Sequence, residues 1–138
     1  MPRPDLPLSA RNVHTGSCLC GAVRYEVTGP LRDVVLCHCE MCRKSHGHVG
    51  AYAAAPRKAL RFIEAQGLKW YGSSAIARRG FCSECGGTLF WDSSARDVIS
   101  IAAGTLDAPT GLRTVLQIHV GNAGDYYDVD ASTPIRPE

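Results

Sequence analysis

Apolar and polar side chains alternate along much of this chain with a period of two, the spacing of strands that turn one face to a core. The clearest run is Ala22-Val23-Arg24-Tyr25-Glu26-Val27, where Val23, Tyr25 and Val27 fall on one side and Arg24 and Glu26 on the other. Thr28-Gly29-Pro30 ends it. Val34-Val35-Leu36 predicts a short apolar strand, and Leu60-Arg61-Phe62-Ile63 and Leu68-Lys69-Trp70-Tyr71 predict two strands joined across Gln66-Gly67. Residues 75–81, 88–91 and 98–102 continue the series, and in 112–120 the residues Leu112, Thr114, Leu116, Ile118 and Val120 share one parity. Two stretches stay open. Residues 43–47 read as a polar loop or a helical turn, and 48–55, whose alanines carry no period, as a strand or a short helix stopped by Pro56. With no amphipathic helix of ten residues or more, no repeat and no low-complexity tract, the expected class is mainly β.

Residues 1–15 contain Pro2, Pro4 and Pro7 and no periodic apolar pattern, so they are expected to form an N-terminal tail. A domain over 16–130 and a C-terminal tail over 131–138 complete the division. A length of 138 residues suits one domain, and 45% apolar with 20% charged residues is an ordinary globular balance. The opening MPRPDLPLSARNV has no apolar run of signal-peptide length, and no window approaches a membrane span, which predicts a cytoplasmic chain that engages no membrane.

The seven cysteines change the picture. They fall into three groups, Cys18 with Cys20, Cys37-His38-Cys39-Glu40-Met41-Cys42, and Cys82 with Cys85. Thiolates two or three residues apart can converge on one soft cation, whereas neighbours this close make strained disulfide partners, and in a reducing compartment dense cysteine points to metal or catalysis. An odd count argues the same way. If seven thiolates hold two divalent ions, the formal charge of +2 becomes −1, which leaves nothing strongly basic to drive nucleic-acid binding.

A structural zinc takes four protein ligands, while a working zinc takes three and keeps a place for water or substrate. Seven divides as four plus three. Cys37, Cys39 and Cys42 lie within one loop and can form a three-ligand site without help; Cys18, Cys20, Cys82 and Cys85 then join as the four-ligand site. Both outer pairs run into glycine, as Cys20-Gly21 and Cys85-Gly86-Gly87, which permits the tight turn of a zinc knuckle. Three other arrangements compete: one four-cysteine site beside a merely buried or reactive trio, an iron-sulfur cluster, and a redox role for Cys82-Ser83-Glu84-Cys85. The ferredoxin run of four close cysteines is missing, and the β-like Thr88-Leu89-Phe90-Trp91 follows where a thioredoxin-type motif wants a helix.

In order, Cys18-x-Cys20-Gly21, Cys37-His38-Cys39-x-x-Cys42-Arg43-Lys44, Arg79-Gly80-Phe81-Cys82-x-x-Cys85-Gly86 and Gly104-Thr105-Leu106-Asp107 resemble the glutathione-dependent formaldehyde-activating enzyme family, also called the centromere-protein-V-like domain. The resemblance implies a β-tent fold of antiparallel sheets with a zinc-ribbon-like site. It implies a structural zinc on Cys18, Cys20, Cys82 and Cys85 and a catalytic zinc on Cys37, Cys39 and Cys42. It further implies a carbon-sulfur lyase or synthase that joins glutathione and formaldehyde as S-(hydroxymethyl)glutathione. Relatives tend to show a His-Ile pair near a Trp-Tyr; this chain has Gln117-Ile118-His119 and Tyr126-Tyr127.

Three thiolates on a divalent ion leave a net −1, a poor Lewis acid for ionising water but a soft site that accepts another sulfur. The expected partners are a small-molecule thiol such as glutathione and a small aldehyde. His38, His46 and His48 are candidate proton carriers, and His46 or His48 is also a candidate fourth ligand. Arg43, Lys44, Arg78 and Arg79 are candidates to receive carboxylates, whereas Trp70, Phe90 and Trp91 are expected in the core. The competing function is a zinc-stabilised module that binds protein or nucleic acid without catalysis, supported by the doublets Arg43-Lys44 and Arg78-Arg79.

Overall fold

An alternating strand can bury its apolar side only against a second layer, and the chain supplies that layer from itself. The computed structural model describes residues 13–136. In chain order its strands are β1 (Val13–Ser17), β2 (Arg24–Thr28), β3 (Arg32–Cys37), β4 (Gly50–Pro56), β5 (Leu60–Glu64), β6 (Leu68–Gly72), β7 (Ala77–Cys82), β8 (Thr88–Ser93), β9 (Val98–Ala102) and β10 (Thr114–Ile118). Helix α1 (Glu40–His46) lies between β3 and β4. The fold is mainly β, as expected.

A small sheet has the order β1-β2-β5, and a large one the order β10-β3-β4-β9-β8-β7-β6. Neighbours are antiparallel except β10 and β3, which run parallel. The period-two set of β2 faces the large sheet: Val23, Tyr25 and Val27 are fully buried with Leu89, Phe90, Ile99 and Ile101. Phe90 is the hub, with Tyr25 and Phe62 meeting it edge-on at 5.3 and 5.7 Å between ring centroids. On the other side of the large sheet a second cluster gathers Cys37, Cys42, Tyr52 and Ala102, with Trp91 and Ile118 packed against it. The alanines of 48–55 belong to strand β4, inserted between β3 and β9. Small side chains suit a central strand that is covered on both faces.

Three connections lie beyond the strand pattern. Residues 60–63 and 68–71 are joined across Gln66-Gly67, yet the two strands belong to different sheets: β5 pairs with β2 and β6 with β7. The turn is pinned instead by Gly67 N–H donating to the Ala22 carbonyl at 2.9 Å. The segment expected as an N-terminal tail contributes Val13 to Thr15 to β1, paired with β2, while residues 1–12 lie outside the described part. At the other end, Gln117 N–H donates to the Pro134 carbonyl and Arg136 N–H to the Gln117 carbonyl, both at 2.9 Å, so the expected C-terminal tail covers the open edge of β10.

Candidate metal centres

The outer cysteine pairs come from different sheets. Cys18 and Cys20 follow β1, while Cys82 ends β7 and Cys85 sits in the turn behind it. All four Sγ atoms lie within 4.8 Å of one another. Cys18 and Cys20 sulfurs are 3.8 Å apart and Cys20 and Cys82 sulfurs 3.7 Å, far beyond a disulfide bond. A tetrahedron with metal–sulfur bonds of about 2.3 Å has edges of about 3.8 Å, so this spacing is that of four ligands on one ion.

Backbone amides complete the fit. Val23 N–H donates to Cys18 Sγ at 3.3 Å, and the amides of Glu84 and Cys85 donate to Cys82 Sγ at 3.4 and 3.5 Å. Such donors favour thiolate over thiol. Gly21 and Gly86 make this possible with φ of 84° and 78°, left-handed backbone that a side chain would strain. The four thiols therefore suit a soft divalent cation, which would tie the small sheet to the large one.

The central trio is assembled by a strand end and a helix start. Cys37 closes β3, Cys39 is the N-cap of α1, and Cys42 lies in its first turn. The Cys39 sulfur accepts the Cys42 N–H at 3.3 Å. Capping and ligation thus use one atom, since a thiolate N-cap satisfies an orphan amide and welcomes a cation on its outer side. The three Sγ atoms fall within 4.8 Å of one another, and among the described residues no histidine or carboxylate joins them. His46 and His48 do not complete the set.

Arg79 comes from β7 to meet the trio. Its guanidinium is buried, donating from Nη2 towards Cys42 Sγ at 3.8 Å and from Nη1 to the Tyr52 hydroxyl at 3.2 Å and Ser45 Oγ at 3.1 Å. The Cys42 thiol is held down to about 6, first by the Cys37 hydrogen bond and then by Cys39 and Arg79. Cys37, holding the shared proton, moves the other way. Three thiolates on a divalent ion would carry −1, which one buried guanidinium would offset.

The histidines flanking the trio are engaged elsewhere. His38, between two of the cysteines, is buried with Nε2 2.9 Å from Gln117 Oε1 and Nδ1 2.5 Å from the Tyr127 hydroxyl. Gln117 Nε2 already donates to the Asp130 and Thr133 carbonyls, which leaves Oε1 to accept from His38 Nε2–H and Nδ1 to accept from Tyr127. His46 Nε2 accepts from the Tyr52 hydroxyl at 2.6 Å, and its pKa is lowered by burial and then by Arg79, which keeps it neutral. His48 meets the Tyr126 hydroxyl at 2.7 Å.

A cavity of about 360 Å³ opens over the trio, with Trp91, Tyr52 and His119 in its wall and Arg32, Arg79, Arg96 and Arg136 around it. Trp91 packs against the second cluster and also lines this wall, while Phe90 is core as expected. Of the four basic residues expected to receive carboxylates, only Arg79 is here. Arg78 stacks on Trp70 at 3.8 Å and pairs with Asp92, and Lys44 pairs with Glu40 on the exposed side of α1. With Arg79 buried, the two basic doublets form no common exposed stripe. Arg32, Arg96 and Tyr52 carried no signal in the sequence, and His119 only the departure at Gln117-Ile118-His119.

The sequence profile of the glutathione-dependent formaldehyde-activating enzyme family matches residues 13–122. An uncharacterized lyase of Schizosaccharomyces pombe is 30% identical over 79 residues, 56% of this chain and 56% of its own length. The chain thus spans little more than half of that relative. A crystal structure of a Rhodobacter sphaeroides protein superimposes with a TM-score of 0.59 at 27% identity, covering 68% of this chain and 88% of that one. Among the described residues no helix is long and apolar enough to cross a membrane.

Proposed function

Because the chain belongs to the glutathione-dependent formaldehyde-activating enzyme family, we propose that it is a zinc-dependent carbon-sulfur lyase or synthase acting on the thiol adduct of a small aldehyde, with glutathione plus formaldehyde as the archetype. Cys18, Cys20, Cys82 and Cys85 hold the structural zinc, and Cys37, Cys39 and Cys42 the catalytic one. The observation that carries this reading is the trio itself: three converging sulfurs, no fourth ligand side chain among the described residues, and a cavity lined by all three. Zinc bound there supplies a soft Lewis acid with room for a substrate sulfur.

The chain's own residues do the rest. Arg79 offsets the charge of the thiolates, and a divalent metal held by them would leave the centre nearly neutral. Trp91, Leu116 and Ile118 line the cavity and displace water from around the adduct. In the forward direction the thiol sulfur bonds to the aldehyde carbon, the carbonyl electron pair moves to oxygen, and that oxygen takes up a proton equivalent to the one the thiol gave up. His119 is the histidine that faces the cavity, and we assign it the transfer of that proton.

Cobalt in place of zinc tests the reading, because a fourth sulfur changes its visible spectrum. Glutathione should alter that spectrum in wild-type protein, and Cys39→Ala should lose both the change and one metal per chain while remaining folded. A cobalt spectrum indifferent to every cellular thiol would overturn it.

A further inference from the structure

Strand parity places Arg32 on the face of β3 opposite Val35 and Cys37, yet all three line one cavity. The cause is an irregularity of register between Arg32 and Val35 where β3 pairs with β4. Such a bulge re-aims a side chain, and here it turns Arg32 to the side of the trio. Arg32 and Cys37 are the first and last residues of β3, so the cavity runs along the strand with sulfur at one end and a guanidinium at the other.

That guanidinium is positioned but not neutralised. Nη2 donates to the Tyr52 carbonyl at 2.8 Å and Nε to the Asp33 carbonyl at 3.1 Å, which fixes the group through backbone. The Asp33 carboxylate faces elsewhere, accepting the Arg113 N–H at 3.2 Å. Among the described residues no carboxylate pairs with Arg32, Arg79 or Arg96, and the cavity has no acidic side chain in its wall. Arg96 and Arg136 lie close enough to oppose the charge of Arg32. Like charges gathered around a hollow are relieved by an anion entering it.

We propose that Arg32 and Arg96, with Arg136 beside them, form a carboxylate subsite at the end of the cavity away from Cys37, Cys39 and Cys42. This rests on the thiol-adduct chemistry proposed above and adds how the thiol is chosen: its sulfur meets the trio while a carboxylate several bonds away meets the arginines. Guanidinium forks suit planar carboxylates bidentately. A volume of about 360 Å³ is the liquid share of about twelve waters, room for a tripeptide-sized thiol. Arg79, beside Cys42 and bonded to Tyr52 and Ser45, belongs to the metal end.

The test titrates glutathione, its dimethyl ester and S-methylglutathione calorimetrically into zinc-loaded wild-type, Arg32→Gln and Arg96→Gln protein. Wild type should prefer glutathione to the ester by about tenfold, the worth of one charge-assisted pair, and each variant should lose most of that preference while keeping its zinc. S-methylglutathione has no thiol to bring to a metal, so its weakening in the variants reports on the arginines alone. Arg96 is exposed, which makes Arg96→Gln safe for folding should Arg32→Gln disturb β4. Equal affinity for glutathione and its ester in wild type, or unchanged affinities in both variants, overturns the subsite. If cobalt-loaded protein then still responds to both thiols, the thiol chemistry stands and only the carboxylate subsite falls.

Discussion

Arg79 directs its guanidinium at the sulfur of Cys42 from 37 positions further along the chain, across a buried contact of 3.8 Å. The pairing joins β7, whose last residue, Cys82, belongs to the four-cysteine cluster, to α1, which carries Cys42 of the trio. One strand therefore serves both centres.

Removing that charge should weaken the trio and spare the outer site. In Arg79→Gln the three thiolates lose their counter-cation, and a charged hydrogen bond is worth about 1.5–3 kcal/mol, or on the order of 10–100-fold in affinity. Competition with a chelator, followed by metal analysis, should show one zinc leaving early and the other at its wild-type concentration. Arg79→Lys, which keeps the charge without the fork, should fall between.

His119 adopts φ of 55°, a left-handed backbone unusual outside glycine, and its side chain faces the cavity. His119→Gln should lower kcat for adduct cleavage by about 10²-fold or more, with KM and both zinc ions little changed. Loss of zinc in this variant would mean that the ring serves structure. His38→Gln and His48→Gln should leave kcat within a few fold of wild type, because neither ring faces the cavity.

The division of the cysteines was legible because ligand spacing is local: Cys37, Cys39 and Cys42 can meet within a single loop whatever the fold. The alternation at Val23, Tyr25 and Val27 was legible for a similar reason. What escaped depends on irregularities that no period encodes. A bulge re-aims Arg32, and the Gln66-Gly67 turn sends β6 to a different sheet from β5. In β10 the expected parity is right for Leu116 and Ile118, which face the cavity, yet the fully buried residue is Gln117, on the other face. Its amide is satisfied by His38 and by the carbonyls of Asp130, the last residue of the expected domain, and Thr133, in the segment expected as a tail. A glutamine amid apolar strand residues was the one visible sign of that cover.

Asp92 is buried in β8 and serves two arginines, Arg57 at 2.6 Å and Arg78 at 3.2 Å. Both arginines are partly solvated, so Asp92→Asn should cost about 1–3 kcal/mol rather than the full penalty of a broken interior pair. Thermal unfolding should register a drop of several degrees. Glu26→Gln, which breaks the exposed pair with Arg61, should move Tm by no more than a degree or two.

Gly67 is required by crowding. A Cβ there would stand 2.8 Å from Cys82 Sγ and 2.8 Å from the Ala22 Cβ, a sulfur of the four-cysteine cluster and the residue whose carbonyl pins the turn. Gly67→Ala should destabilise the protein by about 1–3 kcal/mol and loosen the four-cysteine site, read as earlier release of one zinc to a chelator. Gly72→Ala, with nothing within 4 Å of the added carbon, should behave as wild type.

The two solvent-reaching thiols of the four-cysteine site should differ sharply once metal is removed. Cys85 is held down to about 6 by the Cys20 and Gly87 backbone amides. At Cys20 the Ala22 amide also lowers, but desolvation and the neighbouring thiols outweigh it and raise the thiol to about 11. Thiolate is the nucleophile, and a lowered pKa keeps it populated above pH 6 and loses it as pH falls through that value. In reduced, metal-free protein, iodoacetamide should therefore modify Cys85 first, at a rate that is flat above about pH 7 and drops below about pH 6. Cys20 should react slowly until well above neutrality, and added zinc should protect both. Mass spectrometry of peptides after timed quenching separates the two sites, and faster labelling of Cys20 than of Cys85 at pH 7 would show that the amides around Cys85 do not stabilise its thiolate.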